Sequence, residues 1–330
     1  MEISLESFIS RTAKEMQRRG KFSAAKTCLS VFRGISETMK NEELTFSDLT
    51  PGLLADYEHR LIRGERSRNT VSLYMRTLQN ICNRAEREEA ADIPDDLFEG
   101  VSFATVPVRH RAVTSEVIQK IRDAVFEGKD ARLAFARDMF MLSFYLRGIP
   151  FIDLAHLRKC DLKNGIITYC RRKTKKPACV KVEACAIGII KRYAPLTKGM
   201  PYLLPIIKQQ GTAEEEQRQY ESALRLYNKR LNKISEKLGL GIPLTSYVAR
   251  HSWATIAHDI GVDVADISEA LCHTSEKMTR NYLKSFSPDR LAGVNRKVLQ
   301  AINKKESVGH IKRIRGKCKI SKEKFSSGSL

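Results

Sequence analysis

No apolar run in the chain approaches the ~20 residues a membrane-spanning helix needs. Its opening, MEISLESFISRTAKEMQRRG, carries charges through what would be the apolar core of a secretion signal. Neither a membrane partner nor export is expected. The eight cysteines, Cys28, Cys82, Cys160, Cys170, Cys179, Cys185, Cys272 and Cys318, are scattered, with no C-x-x-C pair and no histidine cluster at zinc spacing. That pattern argues against a zinc ribbon and fits a reduced, cytoplasmic chain, associated with the nucleoid; no metal and no cofactor is expected. Acidic residues are also short, 38 Asp and Glu against 58 Lys and Arg, for a formal charge of +20. A surplus of that sign gathers polyanions and releases their counterions on contact, which makes nucleic acid the expected partner.

What is present is helical periodicity. With 330 residues the chain has room for about two domains. Leu5, Phe8, Ile9, Ala13 and Met16 recur at helical spacing, as do Val31, Phe32, Ile35 and Met39. A third helix is expected to start at Thr50-Pro51, where Thr can cap free N–H groups and Pro needs no partner, and to end near Gly64. A fourth, from about Ser67 to Glu89, turns Val71, Tyr74, Leu78, Ile81 and Cys82 inward. Residues 1–91 thus read as one small helical domain. Over 92–113 the periodicity fails, Pro94 and Pro107 interrupt it, and Arg109 and Arg111 make the segment basic, so this is the expected linker. Residues 114–303 read as a second domain, mainly α, with helices at 115–126, 132–146, 184–193, 219–238, 246–260, 264–271 and 276–283. Two short β-rich runs at 165–170 and 178–182 flank RRKTKKP, a hairpin with a basic tip. Residues 304–330 hold nine Lys or Arg and two Glu and read as a basic, disordered tail.

Several residues suggest phosphodiester chemistry. A protein that breaks a DNA strand without ATP or metal, and later reseals it, has to keep the bond energy in a covalent link to a side chain. Tyr282 is the candidate nucleophile. A phenol is ionised only to about one part in a thousand at neutral pH, so it depends on alignment against a phosphate already held by cations. Arg147, at the end of an apolar helix in L-R-G, and Arg250, in a semi-apolar helix, are planar permanent cations suited to the non-bridging oxygens. Asp153 is a plausible ion-pair partner for Arg147. Lys173, on the hairpin tip, could protonate the leaving oxygen, with Lys175 and Lys176 as rivals. Arg171, Arg172, Lys175 and Lys176 are candidates to grip the DNA backbone, as are Arg109 and Arg111 in the linker. His273 is placed to bond the same phosphate or to help move the proton.

The order Arg147, Lys173, Y-x-x-R at 247–250, Cys272-His273 and Tyr282, nine residues past that histidine, resembles the tyrosine recombinase (phage integrase) family. The supporting segments are FYLRGIPFIDL, RRKTKKP, TSYVARHSWAT and LCHTSEKMTRNYL. The resemblance implies an N-terminal four-helix, SAM-like core-binding domain followed by the catalytic domain. It also implies site-specific cleavage and rejoining of DNA through a 3′-phosphotyrosine, for DNA inversion or for integration and excision of a mobile element. Double-stranded DNA, a homotetramer on two sites, and accessory DNA-bending or directionality proteins are the implied partners. Where the family usually has His in H-x-x-R, this chain has Tyr247, which can hydrogen-bond a phosphate oxygen but does not readily take a proton at neutral pH. The family's C-terminal helix docks on a neighbouring protomer, and Leu291, Val294, Val298 and Ile302 offer a stripe for that contact. A type IB topoisomerase and a catalytically silent DNA-binding protein are the competing expectations. Strand exchange between two sites would exclude the first, and a covalent DNA adduct the second.

Overall fold

A computed structural model of the chain describes residues 3–106, 111–280 and 295–300. The N-terminal part contains α1 (Leu5–Arg18), α2 (Phe22–Met39), α3 (Pro51–Arg63) and α4 (Arg68–Arg87). Their starts follow from sequence chemistry: Thr50 Oγ1 accepts from Leu53 N at 3.2 Å with Pro51 behind it, and Ser67 Oγ accepts from Thr70 N at 3.2 Å. Leu5, Phe8, Ile9, Val31, Ile35, Leu54, Tyr57, Met75, Leu78 and Cys82 meet in one core, where Phe8 and Phe46 pack edge to face at 5.3 Å. The chain leaving this core runs along α4. Ser72 Oγ donates to Phe103 O at 2.9 Å, and the Asn69 side chain makes a bond to each backbone group of Val106, at 2.9 and 2.8 Å.

The second core surrounds α6 (Ala131–Tyr145), which is largely apolar and packs against α5 (Ser115–Asp123), α8 (Ala184–Tyr193), α9 (Ala213–Lys237) and α10 (Val248–Asp259). A buried carboxylate sits against it. Asp138 is 3% exposed, and its carboxylate is met by Arg137 at 2.8 Å, Arg192 at 2.6 Å and the Tyr193 hydroxyl at 2.7 Å. The short helix α7 (Phe151–His156) follows α6 and stacks Phe151 on Tyr227 of α9 at 4.3 Å.

Helix α9 starts six residues before the sequence periodicity suggests. Thr212 and Glu215 form a capping box there: Thr212 Oγ1 accepts from Glu215 N, and Glu215 accepts from Thr212 N at 2.8 Å. A three-stranded antiparallel sheet, β1 (Leu162–Lys163), β2 (Ile166–Cys170) and β3 (Pro177–Lys181), is ordered β1-β2-β3. Its β2–β3 register sets Ile167 opposite Val180 and Cys170 opposite Pro177, so Ile167 and Val180 face the core while residues 171–176 form the expected basic turn. Further along the chain lie α11 (Val264–Ala270) and α12 (Glu276–Arg280). Among the described residues, no helix is long and apolar enough to cross a membrane.

Candidate active site

Where α6 ends, Arg147 and Gly148 both adopt left-handed backbone, at φ +58° and +70°. For the arginine this is a costly conformation, of the kind that persists only where surrounding contacts enforce it. The turn lays Gly148 flat against α10: a Cβ on Gly148 would lie 2.7 Å from Arg250 Cα and 2.9 Å from Arg250 Cγ. Arg250 answers with a hydrogen bond from Nη1 to Gly148 O at 2.8 Å. The turn that carries Arg147 is therefore held on Arg250 through one glycine. Arg147 is half-buried at the rim, and Arg250 is 4% exposed. Backbone entering this region is pinned to the same helix, since Val113 N donates to Ser252 Oγ at 2.9 Å.

The second guanidinium nitrogen of Arg250, Nη2, donates to Leu271 O at 2.6 Å. That carbonyl is turned inward by the end of α11, where Cys272 takes φ +52° and its N–H returns to Glu269 O at 2.8 Å. Leu271 itself is anchored in a small apolar cluster with Ala254, Ala257 and Ile267. The next residue, His273, is 4% exposed, with Nδ1 2.8 Å from the Thr279 hydroxyl of α12. Burial, then the charges of Arg250, Arg171 and Lys176, lower the His273 pKa to about 4, so the imidazole is neutral at pH 7. A neutral imidazole presents one N–H donor and one acceptor.

The hairpin completes the arrangement. Arg172, Lys173 and Lys175 are exposed on the turn, with Lys175 at φ +57°, whereas Lys176 is half-buried and Arg171 is 6% exposed. Asp153 of α7 does not pair with Arg147 as the sequence suggested. Its carboxylate accepts from Arg172 N at 2.9 Å and faces Arg171 Nε at 3.5 Å, because α7 carries it under the hairpin base instead of toward the α6 terminus. Burial raises the Asp153 pKa, against the opposing pulls of the Arg172 amide and the Arg171 and Arg250 charges. Arg171, read as part of a DNA-facing tip, points into the protein, donating from Nη1 to Leu271 O at 3.0 Å and Cys272 O at 3.1 Å. Tyr247 stands at the start of α10, 44% exposed, its ring 5.9 Å from that of His251. Arg111 is exposed. Tyr282 and Arg109 lie outside the described residues, as do Leu291, Val294 and Ile302 of the C-terminal stripe; Val298 is 54% exposed.

Sequence reasoning missed the contact surface of Gly148, the inward face of Arg171 and the Thr279 partner of His273. A glycine directly after a candidate arginine was the one available signal, since only glycine tolerates both positive φ and so close an approach.

The turn after α6, the start of α10, His273 and the lysine-bearing hairpin thus bring cationic side chains and a neutral histidine into one region. The class it defines is that of enzymes acting on phosphodiesters. Residues 111–287 match the profile of the phage integrase family, and residues 4–96 that of the phage integrase SAM-like domain. The chain belongs to the phage integrase family of tyrosine recombinases, and it is a site-specific recombinase.

Tyrosine recombinase XerC of Oceanobacillus iheyensis is 26% identical over 257 residues, covering 72% of this chain and 76% of the relative. Among solved structures, a lambda integrase dimer bound to a COC′ core site shares the fold at TM-score 0.59 and 16% identity, over 85% of this chain and 95% of that one. The Tn1549 transposon integrase in complex with circular intermediate DNA gives TM-score 0.60 at 14% identity, over 88% and 99%.

Proposed function

We propose that this recombinase cleaves and reseals double-stranded DNA with Tyr282 as nucleophile. The observation that carries the reading is the abutment of Gly148, the residue after Arg147, on Arg250, whose charge also reaches the buried His273. Arg147 and Arg250 hold the non-bridging oxygens of the scissile phosphate, where bidentate guanidinium contacts stabilise the developing charge. With the Thr279 hydroxyl donating to Nδ1, His273 carries its proton on Nε2 and gives it as a hydrogen bond to the same phosphate. Tyr247, exposed at the start of α10, supplies another. As the Tyr282 oxygen bonds to phosphorus it gives up its proton to solvent, the bond to the 5′ oxygen breaks, and Lys173 on the exposed turn protonates that leaving group. Resealing runs the same steps backwards, so the reaction needs no external energy source.

The proposed domain arrangement is a core-binding unit over residues 1–91, a basic linker over 92–113, the catalytic unit over 114–303 and a basic tail beyond. The working assembly is a homotetramer joining two recombination sites; a lambda integrase tetramer bound to a Holliday junction is one of the similar structures. Inversion of a DNA segment, or integration and excision of a mobile element, is the proposed outcome, in the cytoplasm at the nucleoid, with accessory DNA-bending or directionality proteins. Incubation with two copies of a recombination site tests this. Recombinant junctions are the expected product, whereas relaxation of supercoiled DNA without strand exchange would refute it.

A further inference from the structure

The basic hairpin turn has an outer and an inner part. Arg172, Lys173 and Lys175 face solvent, while the residues at either end of the turn, Arg171 and Lys176, reach inward to one loop. Arg171 Nη1 donates to Leu271 O at 3.0 Å and Cys272 O at 3.1 Å, and Lys176 Nζ donates to His273 O at 3.0 Å. Three successive carbonyls are thus held by cations from the hairpin. The first of them also takes the 2.6 Å bond from Arg250. Asp153 closes the network beneath, accepting from Arg172 N and facing Arg171.

We infer that Arg171 and Lys176 are positioning residues, which clamp the hairpin carrying Lys173 to the 271–273 loop and so fix Lys173, Arg250 and His273 relative to one another. The inference rests on the reading that those three residues serve cleavage by Tyr282. Hydrogen bonds from ionised donors are roughly twice as strong as neutral ones, so the clamp is strong for its size. Without Arg171, the Cys272 carbonyl loses this donor and the buried Asp153 carboxylate loses the cation that faces it. The hairpin would then shift, and a misplacement of about 1 Å at a reacting group costs on the order of a hundredfold in rate.

The test compares Arg171→Met, Arg171→Lys and Lys176→Met with the wild-type enzyme. The measurements are single-turnover adduct formation on a nicked site at saturating DNA, binding across a salt series, and thermal melts. Arg171→Met is expected to cleave on the order of a hundredfold more slowly with an unchanged salt slope, Arg171→Lys to recover part of the rate, and Lys176→Met to lose about tenfold. The titration of His273 separates positioning from mere stability. His273 is faced by Arg250 from α10, by Arg171 and Lys176 from the hairpin and by uncharged Thr279 from α12, and its low pKa of about 4 owes part of its depression to Arg171. Removing that charge raises the pKa toward the ordinary 6.5, so the His273 ring of Arg171→Met, followed by NMR, titrates at higher pH than the wild-type ring. Wild-type cleavage by Arg171→Met, with weaker binding and a salt slope reduced by about one, would overturn the inference and make Arg171 a phosphate contact. Should Arg171→Met fail to fold, Lys176→Met decides alone, and an unchanged rate overturns the clamp. If the wild type itself forms no adduct, the cleavage reading falls first, and the clamp has nothing to position.

Discussion

Replacing Gly148 by alanine should injure the enzyme in two separable ways. The added Cβ would sit 2.7 Å from Arg250 Cα and 2.9 Å from Arg250 Cγ, distances that real Cβ atoms essentially never show, and the closest atom met is backbone. Holding an L-residue at φ +70° costs about 1–2 kcal/mol. Forcing the two segments apart adds about 1–3 kcal/mol. The sum, about 2–5 kcal/mol, lowers the melting temperature by roughly 2–4 °C for each kcal/mol in a domain of this size. Gly165→Ala is the matched control: its φ is +74° and nothing lies within 4 Å of the added carbon, so it carries the first cost alone. Because relief of the clash pushes Arg250 away from Arg147, single-turnover cleavage by Gly148→Ala should fall about ten- to a hundredfold, while Gly165→Ala cleaves normally. Equal melting temperatures and equal cleavage rates for the two variants would refute the reasoning.

Three further outcomes are expected. Tyr247→Phe should slow cleavage about ten- to a hundredfold, roughly 1–3 kcal/mol, and Tyr247→His should be tolerated, both read as adduct formation with melts as the folding control; a silent Phe variant would place Tyr247 away from the phosphate. His273 binds its proton near pH 6.5 when unfolded and near 4 when folded, so the unfolded chain holds more protons in between. The stability that depends on this group is complete above pH 6.5 and is lost as pH falls toward 4; urea midpoints should show the loss in the wild type and not in His273→Asn. Deleting residues 304–330, with nine Lys or Arg and two Glu, should flatten the salt dependence of DNA binding; an unchanged slope would mean the tail is not on the DNA.

Local signals were legible wherever one residue type settles one backbone group. Thr50 with Pro51 marked the start of α3, and the apolar stripes marked α1, α2 and α4, because those choices depend only on neighbours in sequence. The basic hairpin was equally plain between two β-rich runs. The capping box Thr212–Glu215 carried the true start of α9, but the polar first turns of that helix obscure its period. Side-chain direction was not legible. Arg171 and Arg172 are adjacent and chemically identical, yet one is buried against Leu271 and Cys272 while the other faces solvent, a difference that depends on the turn between β2 and β3 and on where Asp153 arrives from α7. Arg250 could be recognised as an arginine in want of an anion. That its partners include the carbonyls of Gly148 and Leu271 depends on contacts spanning 102 and 21 residues of chain.

The most direct measurement of the central claim is to trap the protein on a nicked recombination site, digest the adduct, and identify by mass spectrometry the residue joined to the 3′ phosphate. Tyr282 should carry the nucleotide, and Tyr282→Phe should bind the same site with wild-type affinity yet yield no adduct. A phosphate linked to any other residue, or adduct recovered from the phenylalanine variant, would contradict the account.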